Sequence, residues 1–173
     1  MPCYAAPVSS TLNFERQQGF ADAPAQGCEL RFRALVWQPR IMLALIFAGW
    51  LLETGWYFVG LGLVLWWGAF VPRLNVFDLA YNALVARRRG LPAAPVAPAP
   101  RRFAMFLAGG LSISGGLAHL AGRPALGWMP IGVLVLAIAA IVFTKFCFGS
   151  YLYHVIRGQL AYAHRTMPWS RSE

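Results

Sequence analysis

The sequence predicts an all-α integral membrane protein: four transmembrane helices arranged as two repeated hairpins, plus a cytoplasmic amphipathic surface helix. Three observations carry that expectation. Ile41–Pro72 is a 32-residue stretch whose one charge is Glu53. A bilayer core about 30 Å thick takes roughly 20 apolar residues per helix, so the stretch fits two spans better than one. The chain is 58% hydrophobic and 12% charged, with mean hydropathy +0.54, whereas a soluble domain carries about 25% charge. Finally, six Arg fall in residues 73–102, against Arg123 alone in the two hairpin turns.

Residues 1–33 form a polar N-terminal tail with no early apolar run behind a basic start, so no cleavable signal peptide is expected. Tyr4, Leu12, Phe14, Phe20 and Leu30 are separated apolar anchors in it. Such a segment gains order by lying along a partner, so the tail is expected to contact other chains. The membrane domain covers 34–158. Its first span is placed at about 35–52, with Pro39 tolerated in a first turn and Arg40 reaching headgroups. The turn at Glu53-Thr54 leads to a second span, about 55–71, bounded by Trp56-Tyr57 and Trp66-Trp67 as interfacial aromatics.

Within 74–89, Leu74, Phe77, Tyr81 and Leu84 recur at helical spacing, and Asn75, Asp78 and Asn82 share another face. This predicts a helix lying on the cytoplasmic surface, with Arg87, Arg88 and Arg89 at anionic headgroups. Residues 90–100 read as a Pro/Ala linker. The third span, about 103–121, is rich in small residues. Ala108, Ser112 and Gly116 stand four apart and predict a seam for close helix packing. The fourth span is placed at about 129–151, with Lys145 snorkelling and His154 just beyond it at the headgroups. A basic tail, 159–173, follows. The Arg distribution puts both termini and the middle loop on the cytoplasmic side of the membrane. It also accounts for the net charge of +9, so nucleic acid is not an expected partner.

The halves repeat. Arg31-Phe32 precedes Gly55-Trp56 much as Arg102-Phe103 precedes Gly127-Trp128, and each half closes on Arg-Gly. Two hairpins of the same orientation, related by an axis along the membrane normal, are expected. Pro100-Arg-Arg-Phe-Ala104, Leu126-Gly-Trp128, Phe146-Cys-Phe-Gly149, Tyr151-Leu-Tyr153 and Phe70-Val-Pro-Arg73 resemble the bacterial membrane family called domain of unknown function 4395. The resemblance covers about residues 30–157. The family usually ends its fourth span with Phe-Cys-x-Gly-Cys. Here Cys147 matches the first cysteine and Ser150 replaces the second, which removes the thiol pair a redox reading of the family would need.

No catalytic constellation or metal-ligand cluster is apparent in the sequence. None of Cys3, Cys28 and Cys147 forms a C-x-x-C pair, and a buried, inert Cys147 is the plain expectation. His119 has Gly115 four residues before it, and a small residue there leaves room for a flat macrocycle over the helix. His119 is therefore a pigment or haem ligand candidate, against the plainer reading of an interfacial histidine bonded to water, lipid or a partner. Glu53 is the one acid in the apolar region, but a hairpin turn lets it meet water. The expected function is a non-enzymatic accessory or scaffolding subunit of a larger bacterial membrane complex, photosynthetic or respiratory, with a lean to the photosynthetic kind from Gly115 and His119. Its expected partners are other integral membrane subunits and lipids, with a bound pigment or lipid as the cofactor to look for. The alternatives are a membrane thiol or sulfur-handling protein, or a small transporter.

Overall fold

The computed structural model describes residues 8–20 and 28–170. Among them the secondary structure is wholly helical. In order the elements are α1 (Val8–Gln17), α2 (Cys28–Leu52), α3 (Gly55–Phe70), a 3-10 turn (Pro72–Leu74), α4 (Val76–Tyr81), a π-helical turn (Asn82–Ala86), α5 (Arg87–Arg89), α6 (Ala99–Leu120), α7 (Pro124–Thr144), α8 (Phe148–Ile156) and α9 (Leu160–Arg165). Three segments are long and apolar enough to cross a membrane: Leu30–Leu52, Ala99–Leu120 and Pro124–Thr144. Gly55–Phe70 is equally apolar but has 16 residues, about 24 Å at 1.5 Å per residue.

The long helix α6 sits at the centre, packed on α3 along one face and on α7 and α8 along others. The core between α2, α3 and α7 holds Met42, Ile46, Phe58, Leu65, Ile131 and Leu134. The packing is less symmetric than the repeat predicts. α6 meets α7 closely, whereas α2 and α3 touch sparsely. The cause is local. Gly115 of α6 and Gly127 of α7 bring backbone to backbone, with a Cβ on Gly115 falling 3.0 Å from the Gly127 carbonyl. In the first hairpin the matching space over Gly49 is filled by the Tyr57 ring, whose hydroxyl donates to the Leu45 carbonyl at 2.8 Å.

Several boundaries differ from expectation for physical reasons. α2 starts well before Leu35, so Pro39 lies in its interior rather than its first turn and leaves the Leu35 carbonyl without its helical donor. The last span stops at Thr144 instead of continuing to Tyr151. Lys145 adopts a left-handed conformation (φ 56°) and caps α7, and the chain restarts as α8 after Cys147. Lys145 does not reach toward headgroups. Its ammonium donates to the hydroxyls of Ser10 (3.1 Å) and Thr11 (2.8 Å) and lies 5.1 Å over the Phe32 ring.

That contact is one of several that fold the N-terminal segment back on its own chain. Phe14, 1% exposed, enters a core with Leu35, Val36 and Cys147 and meets the Phe32 ring edge-on at 5.6 Å. Arg31 pairs with Glu15 at 3.1 Å. The Tyr162 hydroxyl donates to the Arg16 carbonyl, and the Asn13 amide donates to the carbonyls of Met167 and Ser170. The described part of the tail is thus held by both the first span and the C-terminal segment of its own chain. Tyr4 and Cys3 lie outside the described residues.

The segment after α3 is also turned relative to expectation. The polar side of α4 faces inward: Asn75 and Asp78 are buried, and Asn82 accepts the Ala94 backbone N–H at 2.7 Å. Phe77 and Tyr81 are buried too, but Leu74, Leu79 and Leu84 stand about half exposed. Groups with donors and acceptors find partners inside the bundle, and apolar side chains face outward, the arrangement a lipid surrounding permits. Arg87, Arg88 and Arg89 are exposed, and Gly90 (φ 60°) ends the helical run in the left-handed conformation. The linker after it lies on the bundle, with Ala97 buried against Ala69 and Met105.

Candidate functional site

The strongest concentration of buried polarity is a network where α2, α4 and α6 converge. Gln38 comes from α2, next to Pro39. Asn75 is the N-cap of α4, where its side-chain oxygen accepts the Phe77 N–H at 3.1 Å, as N-cap residues do. Asp78 is one turn further on. Arg101 arrives in the first turn of α6. Arg101 Nη2 donates to Asp78 Oδ1 at 2.7 Å and to Gln38 Oε1 at 3.1 Å. Asn75 Nδ2 donates to Asp78 Oδ2 at 3.1 Å and lies 3.4 Å from Gln38 Oε1. Both carboxylate oxygens are therefore used, and the ion pair is buried, with side-chain exposures of 6% and 11%. Arg101 Nη1 is buried with no acceptor. A buried pair of this kind is costly to break, because the surviving charge stays desolvated.

Beside the network lies a cavity of about 80 Å³. Phe14 of α1 and Gln18 just after it, Met42 of α2, Leu65 of α3, Ile138 of α7, and Arg101 and Ala108 of α6 contribute to its wall. Cys147 joins them. It is 3% exposed, and its backbone N–H donates to Gln17 Oε1 at 2.8 Å. Its neighbour Ser150 is fully buried, with a hydroxyl that has no partner. His154, expected at the headgroups, is buried instead. Its Nε2 lies 3.2 Å from the Gln17 carbonyl, which can only accept, and its Nδ1 lies 2.8 Å from Gln159 Oε1.

The residues singled out from the sequence lie elsewhere. His119 is at the opposite end of α6. Its Nδ1 is 2.8 Å from the Gly115 carbonyl and so carries the proton, leaving Nε2 buried without a partner. The ring is enclosed by Phe58 (5.8 Å) and Trp128 (4.8 Å). The space over Gly115, which the sequence reserved for a macrocycle, is taken: a Cβ there would lie 2.7 Å from Ile131. A Cβ on Gly127 would overlap the His119 ring itself. Small residues at these positions serve helix contact, and the space over Gly115 is filled by Ile131.

The small-residue seam exists with a shifted register. Ser112 is fully buried and donates to the Phe58 carbonyl at 2.7 Å. A Cβ on Gly116 would stand 2.6 Å from the Gly55 carbonyl, and one on Gly62 would stand 2.6 Å from the Gly109 carbonyl. Gly109, Ser112 and Gly116 thus face α3, while Ala108 turns to the central core and the cavity. Arg87, Arg88 and Arg89 approach neither the network nor the seam. Among the described residues no cluster of His, Cys, Asp and Glu could hold a metal ion.

Arg101, Asp78, Asn75 and Gln38 were not singled out as site residues. The available signal was Gln38 inside an apolar helix and an Asp on a helix whose other faces are apolar, in a chain with six acids in all.

The profile of the family described as "Domain of unknown function (DUF4395)" matches residues 29–157. Comparison with curated proteins and with solved structures returned no match.

Proposed function

The chain belongs to the DUF4395 family, and we propose that this member is a non-enzymatic accessory subunit that packs against other integral membrane chains in the bacterial cytoplasmic membrane. In this reading α2, α3, α6 and α7 cross as two hairpins, with α3, the shortest, supported along its length by α6. Both termini and Arg87–Arg89 face the cytoplasm, following the Arg bias. α4, the π turn and α5 line that surface.

One observation carries the reading. α2 and α7 leave between them an open trough of about 570 Å³, lined by Leu43, Phe47, Trp50, Trp128, Val135 and Leu136 among others. Gly132 lies in the trough, and a Cβ on it would meet nothing within 4 Å. In a bilayer, apolar surface alone does not drive association. Close backbone approach at small residues does, and a trough with an open glycine offers that to one further helix. With Gly115 packed, the lean toward a photosynthetic host lapses, and the host remains a membrane complex of either kind.

The test is gentle solubilisation of membranes carrying a tagged chain, followed by mass spectrometry. A partner at fixed stoichiometry is expected, and Gly132→Leu should release it. Gly60→Leu, at an open glycine on a different helix, should not. A chain that purifies alone, or a partner indifferent to Gly132→Leu, would refute the proposal.

A further inference from the structure

The cavity at the basic end of the bundle has the composition of a binding site. Several times the roughly 10–15 Å³ that one water needs, it is walled largely by carbon: Phe14, Met42, Leu65 and Ile138. Its polar wall residues besides Arg101 are Gln18 and Gln38, and Gln38 Oε1 is already engaged by Arg101 and Asn75. Yet one wall residue is Arg101, 5% exposed, with Nη2 committed to Asp78 and Gln38 and Nη1 buried without an acceptor. A buried cationic donor without an acceptor is among the costliest polar defects a fold can carry. A ligand that brings an oxygen relieves it.

Charge narrows the class. Asp78 already balances Arg101 at 2.7 Å. A bound anion would leave a net negative charge in an apolar surrounding, which is unfavourable. The fitting group is an uncharged acceptor on an apolar body. We propose that this cavity binds the carbonyl-bearing end of a neutral, membrane-soluble molecule, its oxygen accepting from Arg101 Nη1 and its body lying against Met42, Leu65 and Ile138. Two membrane constituents share that chemistry: the ring of a quinone and the acyl ester of a phospholipid. The site does not depend on the accessory-subunit reading, since its wall is built from this chain alone.

Cys147 in the wall supplies the assay. The full chain is placed in nanodiscs of ether-linked phosphatidylcholine. Alkylation of Cys147 by N-ethylmaleimide is followed by peptide mass spectrometry, which reads Cys3 and Cys28 separately. In one arm tetramethyl-1,4-benzoquinone is added; its ring is fully substituted and does not take up thiols. In the other, ester-linked phosphatidylcholine replaces the ether-linked lipid. Protection of about fivefold, as expected at a few times the dissociation constant, is the predicted result in one arm, and which arm shows it identifies the source. Ala108→Leu, which fills the cavity and leaves the ion pair intact, should abolish the protection. Arg101→Lys, which keeps the charge and removes the second guanidinium nitrogen, should do the same. Whichever of the two melts like the wild type serves as the control. Unchanged alkylation in both arms, or protection that survives in that control, overturns the proposal.

Discussion

Adding a single methyl group at Gly116 tests the centre of the fold. A Cβ there would lie 2.6 Å from the Gly55 carbonyl oxygen and 2.8 Å from both the Val59 backbone nitrogen and Val59 Cγ2. Two of those neighbours are backbone, so no rotamer change relieves the clash; α3 and α6 must move apart by much of an ångström. One turn away, Ser112 donates to the Phe58 carbonyl at 2.7 Å with both groups buried, and the same displacement stretches that bond. Overpacking typically costs about 1–3 kcal/mol, and a weakened buried hydrogen bond adds about 0.5–1.5 kcal/mol. Replacing helical Gly with Ala returns up to about 1 kcal/mol of propensity. The net expectation for Gly116→Ala is a loss of about 1–3 kcal/mol. For a chain of this size that lowers Tm by roughly 2–4 °C per kcal/mol. Gly116→Leu should go further and separate the helices.

The control lies on the same helix. Gly110→Ala meets nothing within 4 Å, so the propensity gain stands alone and stability should hold or rise by up to about 1 kcal/mol. Thermal melts in one detergent, with near-UV circular dichroism reporting the packed tryptophans, compare the two. A Gly116→Ala variant as stable as Gly110→Ala would refute the seam as the element that joins the two hairpins.

Three further outcomes follow from the same geometry. Cysteines introduced at Thr54 and Ala125 should label from the periplasmic side, and labelling from the cytoplasm alone would invert the proposed topology. Asp78→Ala should cost about 3–5 kcal/mol by stranding the Arg101 charge, whereas Asp78→Leu with Arg101→Met should recover most of the loss; equal melting temperatures for the single and double variants would show that the pair is not coupled. Deleting residues 1–20 removes Phe14 from Leu35, Val36 and Cys147, so the thiol should alkylate at least about tenfold faster, the ratio that a loss of about 1.4 kcal/mol of local protection gives; an unchanged rate would mean that α1 does not cover it.

How far the sequence could be read depended on which physical signal each element leaves. A membrane-crossing helix leaves length and hydropathy, and three such helices are present where spans were expected, the last ending at Thr144 rather than Tyr151. The phase of a small-residue helix leaves almost nothing. In α6, Ala108, Gly109, Gly110, Ser112, Ser114, Gly115 and Gly116 occupy every face, so the spacing of Ala108, Ser112 and Gly116 could not say that Gly109 faces α3 and Gly115 faces α7. The same ambiguity made Gly115 look like room for a cofactor when it is a contact point. The break at Lys145 was hidden for another reason: no Gly or Pro marks it, and the left-handed residue is held by hydroxyls far off in sequence, on α1.

The network at Asp78 failed to show because its residues obey two rules at once. An Asp between two Asn on a periodic helix reads as a wetted face, and Arg in a loop reads as an orientation signal. In a bilayer the polar face can equally be the buried one, since apolar side chains lose nothing by facing lipid while an unpartnered amide or carboxylate does. Arg101 is then neutralised by Asp78, and Arg102 is turned back onto the Ala69 carbonyl at 2.7 Å. Arg101 is thereby neutralised inside the fold, whereas Arg102, bonded to a neutral carbonyl, keeps its charge. The topological argument then rests on Arg73, Arg87, Arg88, Arg89 and Arg102 against Arg123, five against one. It keeps its sign without Arg101, the residue that the fold has taken for itself, and the Arg87–Arg89 triplet supplies most of it. Neutralising those three should loosen the orientation of the chain while leaving the Arg101 network untouched.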